Sequence, residues 1–265
     1  MQALAVTCCL LACLALPVGL VSAASTFHRF GDLAGGAHYS VVLGVSANGV
    51  VVVGQSESAS GHEAACLTAL GELNGLGDLP NGRFSSYAYA ASADGEVIVG
   101  SGDSALGSWP SGREAFYYTD ATGMVGMGDL PGGAFYSVAK SVSGDGSVIV
   151  GSGASASGTE AFRWTADGGL VSLGDMPGGE HFSFANDVSS DGQTVVGRAE
   201  SGEGIEAFLW TKELGMRRLG DLPGGEYSSY ANSVSADGSV VVGYSYSAQG
   251  CEAFRWTESE GMVGL

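Results

Sequence analysis

From Ser25 onward, apolar residues fall in short runs separated by Gly-, Asp- and Ser-rich stretches. The C-terminal part shows the pattern most clearly. Ala231 to Ser235 is a first run, ended by Asp237-Gly238, a pair suited to the positive φ of a tight hairpin turn. Ser239 to Gly243 follows, with Val240-Val241-Val242 inside it, the continuous β-branched composition of a strand buried on both faces. In Glu252-Ala253-Phe254-Arg255-Trp256-Thr257 the rings of Phe254 and Trp256 share one face at a period of two. Met262-Val263-Gly264-Leu265 is the fourth run. None of these runs has helical length or period, so the pattern predicts four short antiparallel strands.

The pattern recurs five times. Gly-Asp-Leu occurs at Gly31, Gly77, Gly128 and Gly220, with Gly174-Asp175-Met176 as the remaining copy; the successive spacings are 46, 51, 46 and 46. The turn glycines Gly49, Gly95, Gly146, Gly192 and Gly238 give the same series independently. Four strands in about 46 residues is the period of a propeller blade. The predicted fold is therefore all-β: tandem four-stranded antiparallel blades in a β-propeller-like array of five repeats. A β-solenoid and an open β-array are the structural alternatives. The stretch Ser25 to Leu33 matches the fourth run of a unit, and the chain stops at Leu265. Either that N-terminal stretch closes a five-blade ring as an extra fourth strand, or the ring is incomplete.

Composition narrows the class of partner. Net charge is −18, and Lys140 and Lys212 are the only lysines. A chain this acidic is repelled by phosphate backbones, so nucleic acid is not an expected partner. Residues 1–24 carry no charged side chain and hold one apolar run from Cys8 to Val21, followed by Ser22-Ala23-Ala24. This reads as a signal peptide with a cut after Ala23 or Ala24. A lipobox, Leu10-Leu11-Ala12-Cys13, and an uncleaved anchor are the competing readings. The expected division is 1–24 signal peptide and 25–265 repeat domain, secreted to the extracellular space or periplasm, with no membrane span after cleavage. Beyond residue 24 only Cys66 and Cys251 remain, too few for a disulfide scaffold.

The motifs Gly-Asp-Leu-Pro-Gly-Gly, Ser-Ala-Asp-Gly, Val-Val-Val-Gly and Ala-Phe-Arg-Trp-Thr resemble those of the extracellular HAF-repeat proteins, across residues 27–265. The sequence departs from that family at the histidine of its His-Ala-Phe signature, where Glu63, Glu114, Glu160, Glu206 and Glu252 stand. The resemblance implies a secreted or cell-surface location, and neither an activity nor a catalytic residue.

No catalytic residue, metal site or cofactor is expected. Neither a Gly-x-Ser-x-Gly elbow nor a Gly-Lys phosphate loop is present. His62-Glu63-Ala64-Ala65-Cys66 starts like a zinc-binding helix but lacks a second histidine and lies in a strand context. Asp94, Asp145, Asp191 and Asp237, with Asn48 in the first copy, fit turn geometry. Asp32, Asp78, Asp129, Asp175 and Asp221 are placed to accept backbone N–H bonds, a ring of Ca²⁺ ligands being the alternative. The repeated glutamates read as strand-edge charges, because propeller glycosidases need two differentiated carboxylates.

The copies differ in one long feature. From the Gly of the second strand to the Glu of the third is nine residues in four copies and fourteen between Gly100 and Glu114. The longer link, Ser101 to Arg113, holds Asp103, Trp109 and Pro110. A second feature is the aromatic set after each Gly-Asp-Leu loop: His38 and Tyr39, Phe84, Phe135 and Tyr136, His181 and Phe182, Tyr227. Loop connectivity puts both features on one end of the array. The candidate ligand-binding residues are Trp109, Asp103, Tyr39, Phe84, Tyr136, Phe182 and Tyr227, for a glycan or a surface protein. The expected function is a secreted binding or structural module. A propeller-type carbohydrate-active enzyme and a passenger segment of a larger surface protein are the alternatives.

Overall fold

The computed structural model describes residues 29–106 and 112–265. These form twenty β-strands and no helix, four to each repeat. The first blade is β1–β4 (Gly35–Val45, Val52–Ser58, Gly61–Leu67, Leu73–Gly75) and the second β5–β8 (Ser86–Ala91, Ile98–Asp103, Arg113–Thr119, Gly123–Gly126). The third is β9–β12 (Gly132–Val142, Ile149–Ser155, Thr159–Thr165, Gly169–Ser172) and the fourth β13–β16 (Gly178–Val188, Val195–Ser201, Ile205–Thr211, Gly215–Gly220). The fifth is β17–β20 (Gly224–Val234, Val240–Ser247, Gly250–Thr257, Gly261–Gly264). Each blade is an antiparallel meander in sequence order.

The Asp-Gly turns join first to second strands as predicted. At the second blade Ser92 Oγ donates to Asp94 Oδ1 at 2.6 Å, the Glu96 amide donates to the same oxygen at 3.0 Å, and Gly95 takes φ 83°. The serine hydroxyl and amide hold the Asp94 carboxyl below its ordinary pKa, and the same arrangement lowers Asp145 and Asp191 and takes Asp237 down to about 2.

The first strands run longer than the apolar pattern predicts: in the fifth blade from Gly224 rather than Ala231. The Gly-Gly pair allows this. A Cβ on Gly225 would lie 2.2 Å from the Tyr246 carbonyl oxygen, so only glycine lets the strand begin beside the neighbouring hairpin tip. Arg29 to Leu33 do not form the fourth strand expected of the N-terminal stretch. Without a pairing partner this segment gains no ladder; residues 25–28 and the expected signal segment 1–24 lie outside the described residues.

The apolar core is divided among the blade junctions. Val53 and Ala64 of the first blade cluster with Ala88 and Phe116 of the second, and three further clusters repeat this across the following junctions. Phe116, Phe162, Phe208 and Phe254 are fully buried. A serine fastens each junction: Ser86 Oγ accepts from the Ala64 amide at 2.9 Å and donates to the Gly77 carbonyl at 2.6 Å. Ser137, Ser183 and Ser229 make the same pair of bonds.

The inner strands β1, β5, β9, β13 and β17 stand side by side in that order, and their turns surround one axial cavity of about 360 Å³. Around it the turns are linked by backbone bonds: Asn48 N to Ala93 O, Ala93 N to Gly144 O, Gly144 N to Ser190 O and Ser190 N to Ala236 O. Among the described residues the circle stops there, with no bond from Ala236 N to Ala47 O. The five blades therefore form an open arc.

Candidate ligand-binding surface between the first and second blades

The constant frame of the repeat leaves a few positions free to vary. Between the serine and the alanine or valine of the first strand stand Val41, Tyr87, Val138, Phe184 and Tyr230; two residues on stand Leu43, Tyr89, Lys140, Asn186 and Asn232. The partners across the hairpin are Gln55, Ser101, Ser152, Arg198 and Tyr244. The strand framework fixes where these side chains sit, while their identity changes from blade to blade.

In the first two blades they build a contiguous surface. Tyr39 meets His62 edge-on at 5.9 Å, His62 stacks with Tyr87 at 6.3 Å, and Tyr87 lies parallel to Tyr89 at 6.5 Å between ring centroids. The Arg113 guanidinium is 4.6 Å from the Tyr87 centroid and Lys140 Nζ is 4.3 Å from that of Tyr89, both within cation–π range. Arg113 closes the long insertion and Asp103 opens it; the two are register partners in β6 and β7. The insertion is thus rooted beside the tyrosines.

Polar atoms on this surface lack partners. Four buried side-chain polar atoms among the described residues make no hydrogen bond, and three of them are Gln55 Oε1, His62 Nδ1 and Ser101 Oγ. Gln55 is tied to the ring set through Nε2, 3.3 Å from the Tyr39 hydroxyl, and Ser101 pairs with Tyr87 across the hairpin. Buried polar groups in folded proteins are nearly always satisfied, so three orphans beside one aromatic surface set it apart from the rest of the described residues.

The residues singled out from sequence are distributed as follows. Tyr39 belongs to the surface. Asp103 and Phe84 adjoin it at the same end, where the Asp103 amide donates to the Ser85 carbonyl at 3.0 Å. Trp109 lies outside the described residues. Phe182 packs on Phe184 at 4.7 Å in the fourth blade, Tyr136 is half-buried in the third, and Tyr227 is exposed in the fifth. Tyr136 shares β9 with Lys140, whereas Phe182 and Tyr227 belong to the fourth and fifth blades and lie apart from the surface. Sequence reasoning missed Tyr87, Tyr89, Lys140 and Gln55, although the variable positions inside the repeat frame carry them, and it named Ser101 and Arg113 only as the bounds of the longer link.

The repeated carboxylates are engaged elsewhere. Asp78 accepts from the amides of Leu79 and Ser85 at 2.8 and 2.7 Å, and Asp129 and Asp175 do the same in their loops. Burial pushes these three carboxyls above their ordinary range, against the pull of the amides. Glu114, Glu160 and Glu206 are buried rather than strand-edge charges. Each serves as an internal acceptor: Glu114 for the Gly128 amide at 2.9 Å, Glu160 for the hydroxyls of Ser155 and Ser172, Glu206 for Ser201. No group of three or more metal-ligating side chains occurs among the described residues.

No protein-family model and no curated protein sequence matches the chain. Solved structures do. The chain is similar to TolB from Acinetobacter baumannii, at 12% identity and a TM-score of 0.56, over 82% of this chain and 53% of that one. It is also similar to a TolB-type protein of Agrobacterium tumefaciens, at 14% identity and TM-score 0.52, over 85% and 79%. Prolyl oligopeptidase B from Galerina marginata gives 8% identity and TM-score 0.53, over 85% of this chain and 33% of that one. The fold is a β-propeller array. At these identities the likeness carries the fold alone, and the chain spans about half of the first of these proteins and a third of the last. No helix among the described residues is long and apolar enough to cross a membrane.

Proposed function

We propose that this chain is an exported propeller binding module that holds a glycan against the surface formed by Tyr39, His62, Tyr87, Tyr89 and Arg113. The observation that carries this reading is the contiguous run of rings from Tyr39 through His62 and Tyr87 to Tyr89, with Arg113 and Lys140 set over the tyrosines. Sugar rings offer apolar faces that pack on aromatic side chains and hydroxyls that bond to accessible polar groups such as the Tyr39 hydroxyl and the Arg113 guanidinium. The insertion rooted by Asp103 and Arg113 adds the departure from repeat symmetry that a single specific site needs.

A binding role also fits the carboxylates. Glu114, Glu160 and Glu206 serve the fold's own hydrogen bonds, which leaves them poorly placed for hydrolytic chemistry. The test is a glycan array probed with residues 25–265, followed by the same array with Tyr87→Ala. The reading expects a defined glycan class bound by the parent chain and lost in the variant. An array with no bound glycan would refute it.

A further inference from the structure

The two ends of the blade arc are the two halves of one junction. In the second to fifth blades Ala88, Ala139, Ala185 and Ala231 are fully buried against the preceding blade; their counterpart in the first, Val42, is 49% exposed. In the first four blades Val53, Val99, Val150 and Val196 are fully buried against the following blade; in the fifth, Val242 is 41% exposed. Ala253 is exposed where Ala64, Ala115, Ala161 and Ala207 are fully covered.

The hydrogen-bonding groups of the junction are unmatched in the same way. The Ala64, Ala115, Ala161 and Ala207 amides each meet a serine hydroxyl of the next blade, and among the described residues no serine meets the Ala253 amide. Ser40, the first blade's copy of that serine, receives no amide of this kind among the described residues. Ala236 N and Ala47 O are the free ends of the backbone chain around the axis. His62, Thr159 and Ile205 pair in parallel with the inner strand of the next blade, through Ser85, Phe182 and Ser228; Cys251, at the same position of the fifth blade, is exposed.

We propose that the gap between the fifth and first blades is a docking site for one further four-stranded β-unit of this same repeat class, which closes the ring. The partner's chemistry is set on both sides. Toward the fifth blade it presents a serine for the Ala253 amide and a small residue against Val242. Toward the first it presents a β-branched residue against Val42 and a strand amide for Ser40. Its turn accepts from Ala236 and donates to Ala47. The turns of all five inner strands line one cavity of about 360 Å³, so the two free edges belong to the same ring.

The test appends a duplicate of residues 220–265, with Cys251→Ser in the duplicate, after Leu265, which continues the 46-residue period without a break. The readout is the rate at which the Cys251 thiol reacts with a maleimide. Docking should slow it by about tenfold or more relative to the five-repeat chain, because thiol reactivity follows exposure. The melting temperature should rise while the protein stays monomeric. A second fusion carries Ser229→Asp and Ala231→Lys in the duplicate only, and should label as fast as the five-repeat chain. Unchanged labelling in the first fusion, whether or not the added unit folds, would overturn the proposal. So would a concentration-dependent dimer of the five-repeat chain with Cys251 protected, which would assign the gap to a second copy.

Discussion

Ser86 Oγ lies 2.9 Å from the Ala64 amide nitrogen and fastens the second blade to the third strand of the first. Ser86 is fully buried, so deleting its hydroxyl strands both the Ala64 amide and the Gly77 carbonyl, which it also serves. Leaving a buried polar group unsatisfied costs about 1–3 kcal/mol. Ser137→Ala and Ser183→Ala should therefore each lower stability by about that much in urea denaturation. Ser40→Ala, which cuts no such bond, should change it by less than about 0.5 kcal/mol. Equal losses at Ser40 and Ser183 would show the clasp to be unimportant.

The open arc makes the same substitution cheap at one blade and costly at the others. Val196→Ala removes fully buried methyl groups from the junction of the fourth and fifth blades and should cost roughly 2 kcal/mol. Val242→Ala, at the equivalent but exposed position, should cost less than about 1 kcal/mol. Thermal unfolding of the two variants side by side distinguishes them.

The aspartates give stability a pH dependence of two signs. The turn aspartates have folded-state pKa values below the ordinary 3.8, with Asp237 at about 2. Their contribution is present above 3.8 and lost as pH falls toward 2. Asp78, Asp129 and Asp175 are raised, so their contribution is greatest when protonated and declines as pH rises through their raised values. Asp237→Asn should flatten the acid-side fall in melting temperature, and Asp78→Asn should steepen it. The opposite pair of results would contradict these assignments.

Cys66 is buried in the first blade and its thiol is pushed up by burial, whereas Cys251 is exposed at the tip of the fifth; both are free. A chain beginning at Ser25 should therefore show one fast thiol when native and two when denatured without reductant. No free thiols in the denatured chain would mean that the two are bonded to each other.

Much of the fold was legible because each blade encodes itself. The Asp-Gly turn at Asp94-Gly95, the valine run ending at Val53 and the Phe-x-Trp alternation at Phe254 are local signals with local causes. The start of the first strands was not legible, because Gly225 reads as loop punctuation until the Tyr246 carbonyl is seen against it. Ring closure was left open for a different reason. It depends on rotations accumulated over four junctions, and no single residue states their sum. The burial of Glu114, Glu160 and Glu206 was hidden because a strand pattern does not reveal that the Gly128 amide and the hydroxyls of Ser155, Ser172 and Ser201 turn toward them.

The candidate surface was half legible. Tyr39 and the insertion bounded by Asp103 and Arg113 stand out in the sequence, the first as an aromatic after the Gly-Asp-Leu loop, the second as a break in the period. Tyr87 and Tyr89 do not, because alternating tyrosine and alanine in a strand also reads as ordinary packing. Only the placement of His62 from one blade against Tyr87 of the next reveals a shared surface.

The most direct test of this account is the affinity of the Tyr87→Ala variant for the glycan that the parent chain selects from an array. Tyr87 is only half-buried, so its loss should leave the melting temperature close to that of the parent. The account predicts a Kd weakened by about tenfold or more, equivalent to about 1.4 kcal/mol of lost contact. A Kd unchanged in a folded Tyr87→Ala protein would contradict it and place binding away from this surface.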